Sequence, residues 1–220
     1  MTDHLHRDLT KVKEQVLAMG GLAEEALQSA RSALQSSDPS SLERLRGIEL
    51  RIDTLQLQID DQVLKLLALH QPVAGDLRFA MAAMKIVNDL ERVGDLASTI
   101  GERLLIVMKH EPLLVPLDFE RMMAHTANML ARSLNAFVTL DSSMARQVIK
   151  DDDLIDEINR THFQTLTAEM KRSSDSVDAA LSLLSISRCI ERIADMSTNI
   201  AEDVVFVAEA TDIRHPKLDA

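Results

Sequence analysis

Two acidic motifs of the same form stand 100 residues apart in this chain of 220 residues. The first reads LERVGDL at residues 90–96, and the second reads IERIADM at residues 190–196. In each motif the glutamate and the aspartate are four residues apart, so on a helix they share one face. Carboxylates this close repel one another unless a proton or a cation neutralises them. Oxygen ligands of this kind suit hard divalent ions, so each motif is a candidate metal site.

Each motif is preceded by a second acidic pair that also repeats, at a shift of 103 residues. These pairs are Glu49 with Asp53, and Asp152 with Asp156. If the helix that carries such a pair lies antiparallel to the motif helix, the two acidic stripes meet as a cluster of about four carboxylates. The alternative interpretation is that both stripes are ordinary solvated helix faces, where charge is common.

The composition predicts that helices position these residues. With 6 Gly and 5 Pro in the whole chain there are few turns, and the absence of Trp and Tyr disfavours sheets. Turn residues divide the chain into six helical stretches, and Asp76 is the expected N-cap of the third. On that third helix we expect an apolar core face that includes Leu77, Met81 and Met84. The expected bounds are about 3–35, 41–70, 77–110, 118–140, 144–172 and 177–210.

Helix order, turns and motifs recur together, so the chain is interpreted as a tandem duplication. The predicted fold is all-α, with two tandem antiparallel three-helix bundles. The first bundle is placed at residues 1–111 and the second at 118–210. A proline-rich linker at 112–117 separates them, and a short tail at 211–220 follows.

The same sequence argues against several classes of function. A net charge of −11 without interleaved basic and aromatic residues disfavours nucleic-acid binding. No apolar run is long enough to span a bilayer and no signal core is present, so we expect a cytoplasmic protein. The single cysteine, Cys189, excludes an intrachain disulfide and is expected to be buried. No glycine-rich phosphate loop or nucleophile motif occurs, so we expect neither an organic cofactor nor catalysis.

The two motifs in a duplicated six-helix frame resemble the PhoU family of phosphate-signalling proteins. The segment PVAGDLR at residues 72–78 is similar to the Pro-x-Ala-x-Asp-Leu-Arg junction of that family, and the resemblance covers about residues 5–210. It implies iron, zinc or another divalent metal at the acidic motifs. The implied ligands are Glu49, Asp53, Glu91 and Asp95 in the first half, with Asp152, Asp156, Glu191, Asp195 and Asn199 in the second. The family's asparagine is replaced by Thr99 in the first half.

The resemblance also implies a function. We expect a non-enzymatic regulator that restrains phosphate uptake and phosphate-starvation signalling. Its implied partners are the ATPase subunit of the phosphate ABC transporter and a phosphate-sensing histidine kinase, with a homodimer as the assembly. No nucleic acid is expected, and contact with the membrane is expected only through those partners. Two alternatives remain: a metal-dependent enzyme or metal store that uses the paired carboxylates, and a metal-free scaffold that only holds partners.

Overall fold

A computed structural model describes residues 2–36 and 40–214 and confirms the all-helical fold. The described residues contain no strand. The six helices are α1 Thr2–Ser36, α2 Ser40–His70, α3 Ala74–Val107, α4 Phe119–Thr139, α5 Ser142–Arg172 and α6 Val177–Glu209. A single 3₁₀ turn, Ser174–Ser176, precedes α6. Residues 37–39 of the first expected turn, and residues 215–220 of the expected tail, lie outside the described residues.

The starts of α4 and α5 follow from local side chains, and α5 begins two residues before the expected position. Asp118 caps α4 by accepting from the Arg121 backbone N–H at 3.2 Å, and Asp141 caps α5 by accepting from Met144 N–H at 2.9 Å. The prediction that Asp76 is the N-cap of α3 was wrong. That helix begins at Ala74 after an extended residue, and Asp76 lies in its first turn, where a negative charge favours the helix N-terminus.

The six helices form two bundles that share one core. Helices α1–α3 pack on one another, and so do α4–α6. Helix α3 then packs along α6, and α1 along α4, which joins the two bundles. One continuous apolar cluster runs through both halves and includes Ile52, Phe137 and Ile190. This arrangement confirms the two tandem three-helix bundles expected from the repeat.

Buried positions recur at the shifts read from the sequence. Ile52 and Ile155 are both fully buried at a shift of 103. On α3 and α6, Ile100 and Ile200 are both fully buried at a shift of 100. Two exposed side chains correct the expected core face of α3, because Leu77 and Met81 are 41% and 43% exposed. Equivalent positions of the two halves can therefore be compared directly.

Small residues let the helices approach closely. A Cβ atom at Gly94 would lie 2.9 Å from Cδ1 of Ile52, and one at Gly101 would lie 2.9 Å from Cδ1 of Leu45. Both contacts join α3 to α2, so they set how near the two acidic stripes of the first half can come. Helix α1 continues through Gly20 and Gly21, although glycine has a low helix propensity.

Candidate functional site

The structure brings the acidic stripes of the first half together between α2 and α3. Here the first acidic cluster means Glu49, Asp53, Glu91 and Asp95. Burial raises the pKa of Asp95, and the nearby carboxylates of Glu49 and Asp53 raise it further. The pKa of Glu91 is raised by the same causes, burial first and then Asp95 and Asp53. The two helices are also joined beside the cluster, where Gln56 Nε2 donates to Asn88 Oδ1 at 3.1 Å.

The second acidic cluster is Asp152, Asp156, Glu191 and Asp195, between α5 and α6. Burial, followed by the carboxylates of Asp195 and Asp156, raises the pKa of Asp152 to about 7. Its Oδ1 atom is buried and has no hydrogen-bond partner among the described residues. A buried acceptor without a donor is costly, and a proton or a cation would satisfy it. Of the two clusters, the second is therefore the more strongly poised to bind a positive charge.

The helices present these carboxylates at a partly open edge. Val93 and Ile193, in the middle of the two motifs, are fully buried, so the motif carboxylates face away from the core. The side chains of Glu91 and Asp195 are half-buried, while Asp95 is exposed. A site at this edge is accessible to an ion or to a partner protein.

The carboxylate oxygens of the two clusters suit a hard divalent ion. Their side chains do not, however, point toward a common position at which such an ion could bind. In residues 2–36 and 40–214, no group of three or more His, Cys, Asp or Glu side chains is spaced to hold a metal ion as it stands. The side chain of Asn199 lies on the side of Asp89 of α3, where it opposes the rise that burial causes in the pKa of Asp89, and its Nδ2 is 4.0 Å from Met196 Sδ. Metal binding at either cluster therefore requires carboxylates to rotate toward one another, a change that loading with a cation would favour.

A charged cleft between α3 and α6 was missed by the sequence analysis. It has a volume of about 590 Å³ and contains two buried acids, Asp89 and Asp203. Lys85 Nζ donates to Asp203 Oδ1 at 2.9 Å, and burial followed by the charge of Asp203 raises the pKa of Asp89 to about 6. One signal was present in the sequence, because the repeat aligns Asp89 with Cys189, which was expected to be buried. The structure confirms that Cys189 is buried.

A buried histidine was also missed. His162 Nε2 accepts from the Asp118 backbone N–H at 2.9 Å, and its Nδ1 lies 3.0 Å from Ser187 Oγ. Asp118 is the N-cap of α4 and follows the linker between the bundles, so this contact fixes the start of α4 onto α5 and α6. Linker side chains Leu113, Val115 and Leu117 pack against a small apolar cluster of those two helices. His162 therefore has a structural role, in joining the start of α4 to α5 and α6.

Fold and site together define a class of protein: a duplicated all-helical bundle pair that carries one paired-carboxylate cluster in each half. No helix in the described residues is long and apolar enough to cross a membrane. The family model of the PhoU domain matches the chain twice, at residues 16–104 and 119–204. The chain belongs to the PhoU family.

Individual relatives match over nearly the whole chain. A protein of Burkholderia sp named "Phosphate-specific transport system accessory protein PhoU homolog" is 34% identical to this chain. The alignment covers 98% of this chain and 93% of the Burkholderia protein. The Escherichia coli (strain K12) protein of that system is 30% identical, with 98% of this chain and 89% of its own length aligned. The crystal structure of PhoU from Pseudomonas aeruginosa superposes with a TM-score of 0.89 at 30% identity, covering 94% of this chain and 99% of its own.

Proposed function

We propose that this chain is a non-enzymatic accessory and regulatory protein of phosphate-specific transport. The observation that carries the proposal is a full-length match to relatives named as accessory proteins of that transport system, at 30–34% identity. The duplicated architecture is consistent with it, because both halves of the chain match the same domain.

Within that role, the protein restrains phosphate uptake and phosphate-starvation signalling from the cytoplasm. It does so by linking the ATPase subunit of the phosphate ABC transporter to a phosphate-sensing histidine kinase, and it acts as a homodimer. Support for an adaptor comes from the long helical faces and from the net charge of −11, which together suit docking to basic patches on partners. Contact with the membrane then comes only through the transporter and the kinase.

The two acidic clusters are proposed to bind iron, zinc or another divalent metal. In the second cluster, Asp152, Asp156, Glu191 and Asp195 would supply the oxygen ligands, and in the first Glu49, Asp53, Glu91 and Asp95 would do so. A bound cation neutralises the carboxylates and creates a positively charged surface spot that can accept phosphate or a partner's carboxylate. The unpartnered Asp152 Oδ1 supports this assignment most directly.

The regulatory role is tested by deleting the gene in its own host and measuring phosphate uptake and the expression of starvation-induced genes in phosphate-replete medium. We expect both to be derepressed, and we expect the wild-type gene to restore control. Unchanged phosphate control in the deletion strain would contradict the proposal. Purified protein is assayed in parallel for phosphatase and ATPase activity with and without divalent metal, where turnover above background would favour the enzyme alternative.

Metal binding is tested by elemental mass spectrometry of untagged protein. Two double variants, Glu91→Ala/Asp95→Ala and Glu191→Ala/Asp195→Ala, are compared with the wild type. A matched control, Glu14→Ala/Glu111→Ala, removes the same charge from exposed positions outside both clusters. We expect near-stoichiometric metal that decreases in the cluster variants and not in the control. Equal metal content in all four proteins would refute these ligands.

A further inference from the structure

A ridge of leucines on α2 faces solvent. Leu50, Leu57 and Leu64 are 68%, 71% and 58% exposed. They are spaced seven residues apart, so they lie along one face of the helix over about 21 Å. We call these three residues the leucine ridge. Single exposed leucines are ordinary on protein surfaces, but an aligned series of them on one helix is a feature of helix–helix interfaces.

The internal repeat shows that the bundle does not need leucines at these positions. At the shift of 103 that superposes Ile52 on Ile155, the ridge corresponds to Asp153, Arg160 and Thr167. The second bundle is therefore built with polar residues at the equivalent positions. The apolar side chains of the first bundle consequently serve something other than its own packing.

One flank of the ridge carries acidic residues that have no ion-pair partner among the described residues. Asp53 and Asp60 border it on the side of α3, and Asp61 borders it on the other side. Three cations of α2 are engaged with other acids: Arg46 with Glu102, Arg51 with Glu25, and Lys65 with Asp61. None of the ion pairs in the described part of the chain includes Asp53 or Asp60. The ridge is thus an apolar strip with uncompensated negative charge along one edge.

We propose that the leucine ridge docks an amphipathic helix of a partner protein, with apolar residues facing the ridge and lysine or arginine residues along the edge that meets Asp53 and Asp60. Charge complementarity selects this occupant, because the partner's cations would meet Asp60, and also Asp53 in the metal-free protein. A second copy of this chain is disfavoured on the same ground. In an antiparallel pairing of two ridges centred on Leu57, Asp53 would face Asp61 of the other copy, so the proposed homodimer uses another face.

The test uses a fluorescein-labelled 21-residue helical peptide with leucines on one face and lysines on both edges. Two companion peptides carry glutamate in place of lysine, or the same composition in scrambled order. Binding is measured by fluorescence anisotropy at low salt in buffer containing EDTA. This assay contains neither metal nor transport proteins, so its outcome is independent of the proposed role in phosphate regulation.

The key variant is Leu57→Arg/Leu64→Thr, which introduces the residues of the second bundle. The matched control is Leu114→Gln, at a linker position that is 99% exposed. We expect the lysine peptide to bind the wild type and the control, with binding at least tenfold weaker in the key variant and severalfold weaker in Asp60→Asn. Thermal unfolding followed by circular dichroism checks that each variant is folded.

Three results would overturn the proposal. The first is equal affinity of the lysine peptide for the wild type and the key variant. The second is equal binding of the scrambled peptide, which would reduce the interaction to general attraction between a cation and an acidic protein. The third comes from light scattering coupled to size-exclusion chromatography: a dimer that dissociates in the key variant would assign the ridge to a second copy.

Discussion

His162 occupies, in the second bundle, the position that Ile59 occupies in the first, 103 residues earlier, and both side chains are buried. The imidazole replaces an apolar contact with a polar one. Its Nε2 accepts from the Asp118 backbone N–H, which requires that nitrogen to be unprotonated. Burial lowers the pKa of His162, in agreement with a neutral ring. The start of α4 is thus held by a bond that acid would break.

We expect this histidine to make the protein less stable in mild acid. Because its pKa is lowered in the folded state, the unfolded chain takes up the proton first as the pH falls through about 6.5. Stability from the neutral ring is therefore present at higher pH and is lost below that value. Urea unfolding should show that the free energy of unfolding of the wild type decreases between pH 7.5 and pH 5.5. The decrease should be smaller for His162→Ile.

The isoleucine variant restores the residue of the first bundle and provides the control. At pH 7.5 it should be less stable than the wild type by about 1–3 kcal/mol, since the Asp118 N–H loses its acceptor. An identical pH dependence in the two proteins would show that other groups cause the acid sensitivity.

The adjacent glycines of α1 should respond oppositely to alanine. A Cβ atom at Gly21 would meet nothing within 4 Å, so Gly21→Ala should raise the free energy of unfolding by about 1 kcal/mol through helix propensity. At Gly20 the Cβ atom would lie 2.9 Å from Cδ1 of the buried Leu134 in the other bundle. Gly20→Ala should therefore be less stable than Gly21→Ala by at least about 1 kcal/mol. Equal urea midpoints would contradict the close α1–α4 contact.

Much of the fold was predictable because the relevant signals are local and repeated. Turn residues divide the chain into six helical stretches, and the duplicated motifs reveal that the two halves share one plan. The core face of α3 was harder to predict. That helix packs on α1 and α2 of its own bundle and also on α6 of the other, so a single apolar stripe does not describe what it buries. Asp89 lies on that additional interface, which no pattern within one helix identifies.

The candidate site was predictable in its residues but not in its arrangement. Spacing alone placed Glu91 and Asp95 on one face, and the repeat supplied their partners on α2. Rotamers of the carboxylates depend on local burial and on whether a cation is present, so the sequence could not specify convergence on a metal. The structure brings the groups together without that convergence in the described residues.

Removing the charge of Asp152 should stabilise the metal-free protein. Since burial and neighbouring carboxylates raise its pKa to about 7, ionised Asp152 destabilises the fold at pH 8 and much less at pH 5, where it is protonated. Asp152→Asn should therefore raise the free energy of unfolding in EDTA at pH 8 by about 1–2 kcal/mol, allowing for solvent screening of this partly exposed group. At pH 5 the free energies of unfolding of the wild type and Asp152→Asn should be similar. Equal stability at pH 8 would show that the cluster relaxes without cost.

The pair formed by Lys85 and Asp203 should matter more for stability than an ion pair on the surface. Asp203 is 4% exposed and bonds Lys85 across the junction between α3 and α6, so Lys85→Ala leaves a buried carboxylate without its hydrogen-bonded cation, although the charge of Arg214 stays nearby. We expect a loss of about 2–4 kcal/mol in urea unfolding, limited by the ability of Asp203 to take up a proton. The exposed pair of Arg146 and Glu209, with a 2.7 Å contact, is the control, and Arg146→Ala should cost less than about 1 kcal/mol.

A further variant separates the cost of an unpaired charge from the value of the pair itself. Replacing both residues, as Lys85→Met/Asp203→Leu, removes the charge together with its partner. This protein should regain most of the stability that Lys85→Ala loses, because apolar residues of similar volume can fill the same space. If the double variant is as unstable as Lys85→Ala, the junction needs the ion pair for its geometry. If Lys85→Ala costs no more than Arg146→Ala, solvent reaches Asp203 and the α3–α6 junction is looser than its packing indicates.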